Sequence, residues 1–477
     1  MHLPVLPTFY SWFRDDIKPV ALPSHLETRA FTTRPLIRLS EILLKLPKVA
    51  EDIRSDVKIP ALAFGTLPKQ GEVKTTLKEV AETLHAKAQA QQLRDKGLLE
   101  LLFFEEEEKL RRLRKASEAH VGEPILIILP ESEGCLWYLF WVVCRELYRE
   151  AKGAYPEPVV LLDKGHDVWL RLFEGLSGRV VVLRKEKVEK GEAKEWFKRR
   201  LQEAFSQGLG YLIIMAGAEN VSEAVEFVRE LSKPYTPMIV DIRITPNSGH
   251  VLETLARALS AGFGIPYDEL CRVDNLKNEE KVSVSVEGRL REFPRIDVMV
   301  SRADRAYRDF LNELLSSEYL AYVERDVSEK ESEDHIVMKA LTVKYLSEKC
   351  GIKPEEVKCT HKVKENVIAD LYVKVREKVL AIECETMFGT APTPLLKVFE
   401  SVRKYMGANG VSEVWVVVRN WSAILHLGDL LWAESLLKDE LKKEGKDVKF
   451  FVPEVYEKSL KPLSEAARAI LLRREIP

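Results

Sequence analysis

The chain has 477 residues, 46% of them hydrophobic, with 73 Lys and Arg against 75 Asp and Glu. At roughly 100–200 residues per domain that length implies about two to four domains, and the apolar content excludes a disordered or collagen-like chain. A net charge of -2 excludes a molecule that is basic all over, but not a local basic face.

Charged residues reach 31%, rich in Lys, Glu and Arg, which predicts a thermophilic surface of ion-pair networks. The six cysteines (Cys135, Cys144, Cys271, Cys350, Cys359 and Cys384) form no CxxC pair, against a zinc ribbon or a thiol redox site. The first residues do not read as a signal peptide, so a cytoplasmic chain with reduced thiols is expected. The densest apolar stretch, 135–144, is too short to span a bilayer and reads as a buried helix, so no membrane contact is expected.

Residues 1–120 read as a helical N-terminal region, free of proline over 73–119. Glu105, Glu106, Glu107 and Glu108 precede Lys109, Arg111, Arg112 and Arg114, a spacing that predicts a solvated helix face. Over 121–250 short apolar runs alternate with amphipathic stretches: ILIIL (125–129), VVLL (159–162), VVVL (180–183), YLIIM (211–215) and MIVDI (238–242), with helices at 193–205 and 222–231. That alternation predicts βαβ units and a Rossmann-like parallel α/β domain.

The loop after its first strand, Pro130-Glu131-Ser132-Glu133-Gly134, has one glycine and two acids. A phosphate cradle needs several glycines, and neither GxxxxGK[ST] nor GxGxxG occurs. An ATP motor is therefore disfavoured despite the IVDI run around Asp241; a scaffold or a small-ligand sensor is expected. Residues 251–330 read as a mixed connector. In it 281–301 alternates polar and apolar about a turn at Glu287-Gly288, 302–324 is helical, and 325–333 is a charged linker.

Residues 331–477 carry the chemistry. A helix over 334–349 has Ile336, Val337, Ala340, Leu341 and Tyr345 on its apolar stripe and Gly351 as its stop. Strands follow at 357–363, 366–375 and 379–386, then a proline-rich loop, a helix at 394–406 and a strand at 414–418. The order is α-β-β-β-α-β. Val367, Ala369, Leu371, Val373 and Val375 share one strand face and Asp370 takes the other. In the next strand Glu383 and Glu385 face away from Leu380, Ile382 and Cys384. A tight turn at 376–378 sets Asp370 across from 383–385, and directly opposed residues have Cβ atoms about 4.5–5.5 Å apart. Three converging carboxylates repel one another, and a hard divalent cation is the natural compensation. It would polarise a phosphodiester.

Ile368-Ala369-Asp370, a short hairpin and Ile382-Glu383-Cys384-Glu385-Thr386 resemble the PD-(D/E)xK nuclease superfamily. The resemblance covers 331–477 and nothing before. It implies a restriction-endonuclease-like α/β fold for that part and a Mg²⁺ (or Mn²⁺) ion on Asp370, Glu383 and the backbone carbonyl of Cys384. The superfamily's first-helix acid falls on Glu333, with Asp334 and His335 as alternatives. Glu385 stands where the superfamily has lysine. Lys397, with Ser401 and Lys404 at i+4 and i+7, could supply that lysine from the following helix.

Lys339, Lys344, Lys358, His361, Lys362, Lys364, Lys374, Arg376, Lys378, Lys397, Arg403 and Lys404 make the region positive, as nucleic acid requires. Trp421 could stack on bases, whereas Trp415, within a valine strand, reads as core. The resemblance favours DNA as the partner; the residues do not separate DNA from RNA, and leave a homodimer open. His335, His361 and His426 come from different elements, against a zinc site, and no GxSxG occurs. The expected function is a metal-dependent nuclease. Its rivals are a nuclease gated by a nucleotide-like ligand at the Rossmann-like domain, and a non-catalytic nucleic-acid-binding protein with a degenerate nuclease fold.

Overall fold

A computed structural model describes residues 98–471, apart from 104–105, 120–121, 163–174, 245–248, 287, 324–330 and 391–392. The expected helical region over 1–97 lies outside the described residues. Its remainder forms α1 (Leu98–Leu102) and α2 (Glu107–Ala119). On α2, Glu108 pairs with Arg111 and Arg112 on the outside, as the charge spacing predicts. Arg114 departs from that expectation. It lies four residues after Leu110 and three before Ser117, on the stripe that faces inward. It is buried and meets Asp429 at 3.1 Å.

The fully parallel first sheet holds β1 (Ile125–Pro130), β2 (Glu157–Val160), β3 (Arg179–Arg184), β4 (Tyr211–Ala216) and β5 (Met238–Asp241) in the order β2-β3-β4-β1-β5. Strands β1 and β4 are buried throughout, which is why their sequences read as unbroken apolar runs. One face packs Ile127, Val182 and Ile213 against α3 (Leu136–Lys152). The other packs Leu126, Val181 and Leu212 under α4 (Gly191–Ala204) and α5 (Val221–Ser232). Strand β2 starts two residues before the expected position. It is the edge strand, exposed except at Val159, so its apolar run does not mark its ends.

Next come α6 (Gly249–Phe263) and a hairpin of β6 (Lys281–Val286) and β7 (Arg289–Pro294), turning at Gly288 with φ 77°. The expected alternation stops at Pro294. Ile296, Met299, Val300, Ala303, Tyr307, Phe310 and Leu314 repeat at helical spacing and form the buried stripe of α7 (Ile296–Leu315), which starts six residues earlier than predicted.

In the second sheet, α8 (Glu333–Cys350) leads in. Ser332 caps its first turn and Gly351, at φ 68°, ends it as expected. Then come β8 (Lys358–Lys364), β9 (Val367–Val375), β10 (Lys378–Glu385), α9 (Pro394–Arg403) and β11 (Glu413–Val418), in the predicted α-β-β-β-α-β order. The predicted elements end there. The chain continues through α10 (Asn420–Leu425), α11 (Leu427–Lys442), β12 (Asp447–Glu454), β13 (Ser459–Pro462) and α12 (Leu463–Leu471). The mixed six-stranded order is β13-β12-β11-β10-β9-β8, with β10, β11 and β12 mutually parallel.

One continuous set of buried apolar side chains runs from Ile127 and Ile213 through Leu255 and Trp421 to Val416 and Phe450. The two sheets therefore share a core through α3 and α6. Among the described residues no helix is long and apolar enough to cross a membrane.

Candidate active site

Strands β9 and β10 are antiparallel, from Lys378 opposite Val375 to Ile382 opposite Leu371, and turn at Arg376 and Glu377 with Arg376 at φ 57°. Continuing that register one step past the last pair brings Asp370 level with Glu383. There the ladder gives way: the Cys384 N–H donates to Asp370 Oδ2 at 2.8 Å. The Asp370 carboxylate is thereby pinned to the segment carrying Glu383 and Glu385.

Helix α8 holds Asp370 in place. His335 Nε2 lies 3.1 Å from Asp370 Oδ2, and His335 Nδ1 lies 3.0 Å from Glu331 Oε2. Lys339 Nζ donates to that Glu331 oxygen at 2.8 Å and sits 3.8 Å from Asp370 Oδ1. Helix α9 and the residues after it serve the other two acids. Lys404 Nζ donates to Glu383 Oε2 at 2.7 Å, the Tyr405 hydroxyl to Glu383 Oε1, and the Ser401 hydroxyl to Glu385 Oε1. Glu383, Glu385 and Lys339 are buried, while the Asp370 side chain keeps 24% of its surface. The cluster thus opens to solvent at Asp370.

The charges respond to this packing. Burial pushes Glu383 up to about 8, and the Asp370 charge adds to it against Lys404 and Tyr405. Burial also raises Glu385, opposed by Ser401 and reinforced by Asp370. Asp370 is held low: burial would raise it, but His335, Lys339 and the Cys384 N–H outweigh that. Burial works against His335 too, yet its bonds to Asp370 and Glu331 lift it to about 9.

Asp370, Glu383, Cys384 and Glu385 therefore come together as expected. The Cys384 thiol is buried with its ionisation pushed far up, which leaves that residue only its backbone to contribute. Lys397 is exposed in the first turn of α9, close enough for its charge to act on Glu385, but it is Lys404 that grips an acid. Glu333 is a correction. It is exposed at the first helical position and, among the described residues, makes no hydrogen bond or ion pair with the cluster. Asp334 turns instead to Arg419 at 2.6 Å and the Tyr307 hydroxyl at 3.2 Å. The helix contribution comes from His335 and from Glu331 and Lys339, whose roles the sequence reading missed. Their signal was present: the three are spaced by four, and Lys339 is the one charge within the apolar run 336–343.

Several expected phosphate contacts are also spoken for. Lys344 pairs with Glu348 at 2.5 Å, Lys378 with Glu413 at 2.8 Å and Arg403 with Glu440 at 2.7 Å. Trp421 is no stacking platform: it is buried and its indole N–H donates to Asp304 at 3.0 Å. Trp415 is core, as read, against Phe451. At the carboxyl edge of the parallel sheet, Glu131 pairs with Arg184 at 3.0 Å and Asp241 with Lys109 at 3.2 Å.

Among the described residues no group of three or more His, Cys, Asp or Glu side chains is arranged to hold a metal ion. No family model and no curated protein matches the chain. A solved structure that it resembles weakly is a DNA polymerase III gamma subunit-related protein from Thermotoga maritima. The match covers 50% of this chain and 73% of that one, at 14% identity and a TM-score of 0.23, a level that carries no argument.

Proposed function

We propose that the chain is a divalent-metal-dependent nuclease that hydrolyses phosphodiester bonds of nucleic acid, with DNA the favoured substrate. In this reading the second sheet is a restriction-endonuclease-like unit, and the parallel sheet a Rossmann-like one. The observation that carries it is the fork between β9 and β10, where the Asp370 carboxylate is bonded to the backbone between Glu383 and Glu385.

The donor set suits a hard ion in an open site. Mg²⁺ takes one or two carboxylates, keeps several waters and completes its shell with substrate phosphate. Such a site needs no closed cage of three protein side chains. Asp370 and Glu383 would hold the ion, with the Cys384 carbonyl as a further oxygen. When bound, Mg²⁺ or Mn²⁺ would polarise the phosphodiester and make water a better nucleophile. Glu331 fixes the His335 ring, and His335 fixes Asp370. Lys404 and Tyr405 hold Glu383 in one orientation, and Ser401 does so for Glu385. Lys397 is exposed and in this reading would meet a phosphate oxygen. The test is a panel of Mg²⁺, Mn²⁺, Ca²⁺ and chelator on labelled single- and double-stranded DNA. Cleavage with Mg²⁺ or Mn²⁺ and none in chelator is expected; no cleavage with any metal removes the reading.

The same geometry fixes a pH dependence for the metal-free protein. Glu383 has a folded value of about 8 against an ordinary 4.5, so its stabilising share is complete below 4.5 and lost as pH rises through about 8. His335, raised to about 9 from 6.5, contributes fully below 6.5 and is lost as pH rises through about 9. Both slopes have the same sign. In chelator, thermal scanning should show the melting temperature falling as pH rises from 6 to 9. Glu434, pushed to about 7 by burial, adds a similar slope, so the share of Glu383 is the difference between wild type and Glu383→Gln. A Glu383→Gln profile parallel to wild type would contradict the assigned ionisation.

A further inference from the structure

We infer that the outer face of β8 and β9 is the track along which a nucleic-acid backbone lies, with Lys358, Lys362, Lys364 and Lys374 meeting its phosphates and leading it to Asp370. The inference rests on the nuclease reading for the fate of the strand, but not for its binding.

Alternation along β9 places Ile368, Tyr372 and Lys374 on the same face as Asp370. Directly opposed residues share a face, so the register of Lys362 with Ile368 and Lys358 with Tyr372 adds two lysines to it. Lys364 follows at the exposed end of β8, past a register shift that pairs it with inward-facing Val367, so it flanks this face rather than belonging to it by register. All four lysines are exposed. Four residues along a strand span about 13 Å, and the next strand lies about 4.8 Å away, so the set covers several successive phosphates. Ile368, 51% exposed, and half-exposed Tyr372 lie between the lysines, where sugars and bases would rest.

These lysines differ from the cations around the site that already hold an acid. Lys339, Lys344, Lys378, Arg403 and Lys404 are each tied to a carboxylate. Among the described residues none of the four forms an ion pair. Apart from Asp370 itself, the acids nearest in sequence lie off the strands: Glu355 and Glu356 in the turn before β8, Glu365 and Glu377 in the hairpin turns. Lysines on an edge strand also discourage strand-to-strand aggregation. That role accounts for β8, which is the edge, but not for Lys374, one strand further in.

The test measures binding of the full-length chain to a short fluorescein-labelled DNA, single-stranded and duplex, by anisotropy in chelator across a salt series. The variant Lys358→Glu/Lys362→Glu/Lys364→Glu/Lys374→Glu keeps the edge charged, so it retains protection against aggregation. It should lose at least about 100-fold in affinity at low salt, and its slope of log K against log salt should flatten by about 0.7–0.9 per lysine. The control, Lys187→Glu/Lys190→Glu/Lys233→Glu/Lys277→Glu, changes net charge equally at exposed lysines elsewhere and should stay within a few-fold of wild type. Equal losses in both variants, or no loss in the first, overturn the track. Lysine-dependent binding without cleavage in any metal would retire the nuclease reading and leave the track standing. Cleavage with binding indifferent to the lysines would do the reverse.

Discussion

Asp370→Asn is expected to abolish metal-dependent cleavage, by well over 100-fold in kcat/KM, while the chain stays folded. The amide keeps an oxygen for the Cys384 N–H and for His335, so the fork between β9 and β10 persists. What disappears is the charge. A group that merely orients a metal ligand usually costs about 10–100-fold when removed. A direct ligand should exceed that, and His335→Gln, which touches Asp370 rather than the ion, should fall within it. The variant has a second readout. Glu383 is protonated near neutral pH through burial and the Asp370 charge, so binding of an ion there must displace a proton. Wild type should release most of a proton per ion at pH 7, by titration in buffers of different ionisation enthalpy. Asp370→Asn should bind weakly and Glu383→Gln should release almost none. Full cleavage by Asp370→Asn would remove the assignment of this carboxylate.

Much of this site was legible because strands have a period of two. Asp370 interrupts the inward set Ala369, Leu371 and Val373, and Glu383 and Glu385 alternate with Ile382 and Cys384, so facing and register followed once the hairpin was placed. The partners of these acids were not legible. Lys404 and Tyr405 reach Glu383 from the far end of α9, and Lys339 reaches Asp370 from α8, contacts that depend on how helices lie over the sheet. The superfamily resemblance puts the first-helix acid on Glu333, just before the expected helix. The face that meets Asp370 begins instead with Glu331, before the first turn, and continues through His335 and Lys339. The strands after Val418 escaped for another reason. In β12 (DVKFFVPE) the residues Phe450, Phe451, Val452 and Pro453 are all buried, and a strand covered on both faces shows no alternation.

Arg419→Met should cost about 3–5 kcal/mol in urea unfolding, the penalty for removing one member of a buried ion network. Arg419 is buried, with its side chain bonded to Glu146 of α3 and to Asp334 of α8, each at 2.6 Å. Its own N–H donates to the Glu385 carbonyl at 3.1 Å. Without the guanidinium, Asp334 keeps only the Tyr307 hydroxyl among its described partners, and Glu146 loses the cation that most strongly offsets its burial. The exposed pair between Arg403 and Glu440 gives the contrast: Arg403→Met should cost less than about 1 kcal/mol. Position makes the first loss functional as well as structural. Asp334 precedes His335, and Arg149 of α3 donates to the carbonyl of Thr386, the residue after Glu385, at 2.6 Å. The loop beyond is held just as closely: Gly389 comes so near Gly153 at the end of α3 that a Cβ there would lie 3.2 Å from the Gly153 Cα. A helix of the parallel sheet therefore grips both ends of the acidic cluster. If Arg419→Met unfolds at the wild-type midpoint, that grip is not what holds the fork in register, and the parallel sheet has no mechanical claim on the chemistry.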